Sequence, residues 1–210
     1  MFVSLLLFAS LAASASEGRD FQRTWLGVFS KKNFHDAWSA WQELQFRYDS
    51  NEGSMLQTLI RVGALRQLSP EHELGLIMGY VQTGLKKEYR PTLQHFYTPG
   101  SAGGFHFQLR SRLEFRDVED EEANSLRYRL FASGRYQLTP KHAALLWNEA
   151  FVTLSSEDWT GQRRYERNRL FAGVRIDEQT HRWEIGYLHQ LVPRHQRTTH
   201  EHILTVYFFY

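Results

Sequence analysis

The chain has 210 residues, a formal net charge of +2 and no cysteine. That near balance of charge argues against bulk nucleic-acid binding, and the missing thiols exclude a disulfide scaffold, thiolate metal sites and a cysteine nucleophile. Aromatic residues make up 15% of a chain whose mean hydropathy is −0.50, an odd mixture for a soluble core but an ordinary one for a barrel with a charged interior and an interfacial aromatic belt.

Residues 1–15 carry an apolar run, Phe2 to Leu11, followed by Ala12-Ala13-Ser14-Ala15-Ser16. An apolar core closed by a small-x-small site is the pattern of a secretory signal, with cleavage expected after Ala15, although no Lys or Arg precedes the core. The run is too short to cross a bilayer as a helix, which takes about 20 residues. Residues 16–36 are then expected to form an N-terminal segment ahead of the folded body. Within it, residues 24–30 have strand character.

From Trp38 onward the dominant signal is period-two alternation in segments of about ten residues, the length a tilted membrane strand needs. Phe105, Phe107, Leu109, Leu113 and Phe115 oppose His106, Gln108, Arg110, Arg112, Glu114 and Arg116; Leu126, Tyr128 and Leu130 oppose Arg127, Arg129 and Arg135 further along. Ten segments fit, at 37–48, 55–66, 73–83, 88–97, 105–116, 126–137, 143–154, 165–176, 181–192 and 200–210. The expected fold class is all-β, an antiparallel transmembrane β-barrel of ten strands over residues 37–210, with twelve as the alternative. Residues 24–30 as an eleventh strand would break the even count normal for bacterial barrels, whose two chain ends both lie in the periplasm.

Connections at 31–36, 67–72, 98–104, 138–142 and 177–180 read as short periplasmic turns, and those at 49–54, 84–87, 117–125, 155–164 and 193–199 as outward loops. The turn Leu68-Ser69-Pro70-Glu71-His72 recurs as Leu138-Thr139-Pro140-Lys141-His142, a weak internal repeat that supports hairpins. The last strand places Leu204, Val206, Phe208 and Tyr210 on one face. In water such an apolar, aromatic edge would invite aggregation; facing outer-membrane lipid, and handed over by the barrel-assembly machinery, it makes sense. The expected location is the outer membrane of a Gram-negative bacterium. The rival fold is a soluble periplasmic lipocalin-like binding barrel, which would turn the apolar face inward. Gly63, Gly173 and Gly186 on the arginine-rich face favour a crowded lumen over a free surface.

The order Trp38…Glu43-x-Gln45-x-Arg47, Arg61-x-Gly63, Gly79-Tyr80, Glu88-x-Arg90-x-x-x-Gln94, Arg110-x-Arg112-x-Glu114-x-Arg116, Arg127-x-Arg129, Asn148-Glu149-x-Phe151 and Asn168-Arg169 resembles a family of bacterial outer-membrane barrels, domain of unknown function 2490. The resemblance runs from about Trp25 to the C terminus. It implies a transmembrane barrel and brings no activity, substrate or catalytic residue.

The chemistry of this chain lies in its inward-facing charge. Arg47, Arg61, Arg90, Arg110, Arg112, Arg116, Arg127, Arg129, Arg135, Arg167, Arg169 and Arg175 are expected to line the lumen among Glu43, Glu88, Glu114, Glu149 and Glu184, with Glu149 the least secure because its strand is mixed. A narrow barrel has little room beyond its side chains, so the leading expectation is a largely filled lumen held by Arg–Glu pairs, with a structural or ligand-binding role and no enzymatic one. The excess of arginine over glutamate supports a narrow anion-leaning small-solute channel as the second reading. A third is an outer-membrane hydrolase built on Ser111 with His95 or His106, weakened by the absence of a G-x-S-x-G turn. His189, His195, His200 and His202 cluster near the last hairpin but read better as solvated residues than as a metal site, and no cofactor is expected. Trp25, Trp38, Trp147, Trp159, Trp183, Tyr80, Tyr187 and Tyr210 are expected as interfacial anchors, with ordinary packing an equal reading for Trp25 and Trp159.

Overall fold

The computed structural model describes residues 21–155, 164–193 and 198–210; the expected signal at 1–15, Trp159 and His195 lie outside them. Eleven strands form one closed barrel: β1 Phe21–His35, β2 Trp38–Asp49, β3 Ser54–Gln67, β4 His72–Thr83, β5 Lys86–Tyr97, β6 Phe105–Val118, β7 Ser125–Gln137, β8 His142–Thr153, β9 Tyr165–Asp177, β10 Arg182–Pro193 and β11 Thr198–Phe209. Alternation located β2 to β11 to within two residues at either end.

The strand count corrects the sequence reading. Residues 24–30 are not a segment outside the wall but the middle of β1, which pairs antiparallel with β2 and parallel with β11. The turn placed at 31–36 shrinks accordingly, since β1 runs on to His35 and only residues 36–37 lie between it and β2. With each successive pair antiparallel, an odd count makes first and last strands point the same way. Phe21 to Phe29 therefore run beside Glu201 to Phe209, and the seam ends where the Tyr210 amide donates to the Phe29 carbonyl at 3.1 Å. Phe21 and Tyr210 thus sit at opposite rims, and the parity argument fails for this wall.

The orientation of the two faces decides between the rival folds. Leu76, Leu130 and Leu204 are 69%, 45% and 54% exposed, whereas Glu114, Arg127 and Arg112 are 0%, 3% and 3% exposed. The apolar face points out and the arginines are enclosed, the reverse of a lipocalin-like barrel.

The two repeated turns fold alike. Leu68 and Leu138 each donate to the carbonyl of the His four residues on, at 2.9 Å, and the Ser69 and Thr139 hydroxyls accept from the same histidines' amides at 3.2 and 3.0 Å. The side chains of Gln67 and Gln137, one residue before each repeat, close the turns onto the carbonyls of Ser69 and Thr139. These turns share a rim with 98–104 and 178–181, here called the turn rim; the other is the loop rim.

Inside, two glycines let strands curve tightly. Gly173 and Gly186 are direct cross-strand partners, and the Phe171 ring lies over both: a Cβ on Gly186 would stand 2.6 Å from the ring and 2.7 Å from Gly173 Cα. Phe171 stacks on Trp147 at 5.0 Å between centroids, within an interior cluster that also contains Trp25, Phe29 and Tyr207. An aromatic laid across bare backbone fills the space that two missing side chains leave.

Candidate functional site: an enclosed arginine lumen

Glu114 is the hub of the interior. Its carboxylate accepts from Arg127 Nη2 at 2.5 Å and from Arg129 Nη1 at 2.6 Å, and it lies 3.5 Å from Arg61 of β3, two strands beyond its neighbours. Glu149 accepts from Arg129 at 2.7 Å, from Arg110 at 3.1 Å and from Arg169 at 3.4 Å, and Glu43 from Arg61 at 2.6 Å. Toward the loop rim Glu88 takes Arg90 through two bonds of 2.6 Å and Arg116 through two more, of 2.6 and 3.3 Å. Several of these contacts, such as Arg61 with Glu114 and Arg127 with Glu166, skip strands and so cross the lumen instead of following its wall. Buried carboxylates and guanidiniums satisfy one another here, as enclosed charges must.

Glu149, the least secure of the inward assignments, is 3% exposed and inside. The remaining expected residues fall as follows. Arg47 donates to Gln57 and Gln45, Arg167 to Glu166, and Arg175 pairs with Asp177 at 2.6 Å. Glu184 lies 3.5 Å from Arg182, and Arg135 lines the widening at the turn rim.

Several interior partners were missed. Glu166 enters the lumen through a bulge: Phe151 pairs with Arg167 but Val152 with Tyr165, so Glu166 is skipped and turns inward beside Arg167. It accepts from Arg127 at 3.1 Å. Strict alternation assigns it to the outer face, and nothing in the sequence marks the slip. Glu73 pairs with Lys31 and Glu201 with Arg23, each at an inward alternate position the pattern could have supplied. Glu166 and Asp177 reduce the arginine excess read from the sequence, whereas Glu73 and Glu201 each bring a cation of their own.

The aromatics also need correcting. Trp25 and Trp147, expected as interfacial anchors, are buried inside the lumen. Arg47 lies over the Trp25 ring at 3.9 Å and Arg169 at 4.7 Å. Phe151 is enclosed by the guanidiniums of Arg127, Arg129, Arg167 and Arg169, all within 5.7 Å of its centroid. Rings facing guanidiniums replace water as the neighbour of each charge. Trp38, Tyr187 and Tyr210 are exposed on the outer face.

Two motifs quoted separately from the sequence form one cross-strand unit. Asn148 and Asn168 exchange two hydrogen bonds, 2.8 and 3.1 Å, on the outer face, while Glu149 and Arg169 pair directly on the inner one.

The hydrolase constellation comes apart. His106 faces the lumen, whereas Ser111 and His95 are cross-strand partners on the outer face, so the two histidines are not neighbours. His95 shares a 3.0 Å hydrogen bond with His72, and among the described residues none joins it to Ser111. On β10 and β11, His189 bonds to His200 at 3.1 Å and Tyr187 to His202 at 2.5 Å, and no group of three among the described residues could hold a metal ion.

Open space remains in the lumen. A cavity of about 120 Å³ lies at mid-height, lined by Trp25, Arg47, Arg61, Arg110, Arg112, Arg129, Arg169 and three carboxylates. It adjoins a vestibule of about 510 Å³ that reaches Gln67, Pro70, Glu71 and Thr98 at the turn rim; Trp41, Arg110, Phe131 and Trp147 line both. Glu88, Arg90, Glu114 and Arg127 line neither and occupy the loop half.

The family model described as a protein of unknown function, DUF2490, matches residues 22–201. The chain belongs to this family. A search of curated proteins by sequence finds no match. Among solved structures, the DUF2490 barrel is similar to one described as the NanC porin in a rhombohedral crystal form, with a TM-score of 0.54 and 9% identity over 81% of this chain and 86% of that one. At that identity the likeness is one of fold. Because the DUF2490 match begins at residue 22, β1 falls inside the family's domain, in agreement with its place in the wall.

Proposed function

We propose that this protein is an outer-membrane β-barrel, exported and inserted through its apolar C-terminal strand by the barrel-assembly machinery, whose loop half is closed by an Arg–Glu layer and whose turn half is a blind vestibule facing the periplasm. Its role is then structural or ligand-binding, without catalysis. The observation that carries the membrane location is the inverted packing: exposed Leu, Val and Met around the outside, buried arginine within. On β7 the outward Tyr128 and Tyr136 bracket Leu130 and Ala132. Eight rises of about 3.3 Å give roughly 26 Å along the strand, or about 20 Å of height at a tilt of about 40°, most of an apolar band set between two aromatic rims. The porin-like fold supports the same reading.

The closed lumen rests on Glu114, 0% exposed and held by three guanidiniums from two strands, β3 and β7. Planar-bilayer recording of the purified protein tests it: the wild type is expected to insert without discrete conductance. Steady, anion-selective openings would instead favour the channel reading, which draws on the six arginines against three glutamates around the central cavity.

A further inference from the structure

Where the enclosed charges do not balance is informative. Six guanidiniums and three carboxylates line the central cavity, and Glu114, behind its wall, takes contacts from two of the six, Arg61 and Arg129. Two of the six, Arg47 and Arg112, have only neutral hydrogen-bond acceptors among the described residues: Arg47 bonds to Gln45 and Gln57, and Arg112 to Gln94 at 2.8 Å. A buried cation without a carboxylate is costly unless something else neutralises it. The unpartnered buried atoms point the same way. Trp25 Nε1 and the Nε atoms of Arg47, Arg61, Arg110 and Arg129 all belong to cavity-lining side chains and find no acceptor among the described residues. Each is a donor; no cavity-lining acceptor is in the same position.

We infer that this cavity is the binding site of a small organic acid that enters from the vestibule, its carboxylate among the guanidiniums and its body against Trp41, Phe131 and Trp147. The inference rests on the enclosed-charge barrel proposed above and assigns its ligand class. A cavity of 120 Å³ would hold about four waters, which accept hydrogen bonds but leave the excess charge in place. A carboxylate accepts several and neutralises one charge, and the planar guanidinium fork suits its two oxygens. The adjoining 510 Å³ falls within the range of small-molecule sites, and its aromatic walls favour a flat or apolar body over a bare inorganic ion.

Benzoate and its neutral isostere benzamide separate charge recognition from aromatic stacking. Both are titrated into the full-length protein in detergent micelles, read by calorimetry and by the emission of the cavity tryptophans. Benzoate is expected to bind saturably and benzamide not. Arg112→Met should weaken benzoate by about ten-fold or more, and Arg47→Gln, the second variant should the first not fold, by a similar factor. Equal behaviour of the two probes, no saturable benzoate signal, or wild-type affinity in the folded variants would overturn the site. Heat-modifiable gel mobility and bilayer silence of the same sample report on the barrel itself. A protein that passes both and ignores benzoate therefore refutes the ligand and spares the barrel.

Discussion

Arg112 donates its Nε to the side-chain oxygen of Gln94, so a guanidinium 3% exposed faces a neutral amide whose own nitrogen, Nε2, finds no acceptor among the described residues. Replacing that amide with a carboxylate would supply the missing charge and remove the orphan donor. Gln94→Glu is expected to stabilise the barrel by about 1–2 kcal/mol, the increment of a charged over a neutral hydrogen bond. A higher temperature for loss of the compact gel band would show it, together with weaker benzoate binding because Arg112 is then neutralised from within the wall.

Glu114 is the opposite case. Its removal leaves Arg127, Arg129 and Arg61 facing one another without their shared acceptor. Glu114→Gln is expected to cost about 3–5 kcal/mol, the penalty of breaking a buried pair from one side. The measurement is the midpoint of urea-induced unfolding in micelles, where a shift no larger than that of an outer-face substitution would count against the hub.

On the outer face, Asn148 and Asn168 satisfy each other's amides, as the proposed lipid-facing position requires, since lipid would offer no partner. Asn148→Leu alone should cost about 1–2 kcal/mol by stranding Asn168, whereas the double change to leucine should be close to neutral. Additive losses in this double-mutant cycle would contradict the pairing.

The Gly173–Gly186 contact predicts intolerance to a single methyl group. Gly186→Ala places a Cβ 2.5 Å from the Ala172 carbonyl oxygen and should destabilise by about 1–3 kcal/mol. Gly100→Ala, with nothing within 4 Å, should lie within about 0.5 kcal/mol of wild type. Refolding yield in micelles compares the two.

Much of this architecture could be read from alternation alone, because a strand's period fixes which face each residue serves; that is why Arg61, Arg112 and Glu114 fell inside as expected. What escaped were departures from the period or from a counting rule. β1 alternates well, with Trp25 and Phe29 inward, but a parity argument excluded it, and parallel closure with β11 was the physical solution that argument ignored. Glu166 escaped because a bulge leaves no mark in residue type. Trp147 was placed at the interface on the strength of its chemistry, whereas its parity with Leu145 and Glu149 put it inside. The pairing of Asn148 with Asn168 depends on cross-strand register, which one strand's sequence does not contain.

The central claim concerns which face meets lipid. The chain has no cysteine, so single cysteines can be placed at Leu76, Leu130 and Leu204 and labelled with a polarity-sensitive fluorophore in bilayers containing brominated lipid. All three labels should be quenched by the brominated acyl chains and be protected from a water-soluble maleimide when modification is attempted in intact membranes. Rapid modification by that reagent, with no quenching, would place these leucines in water and contradict the account.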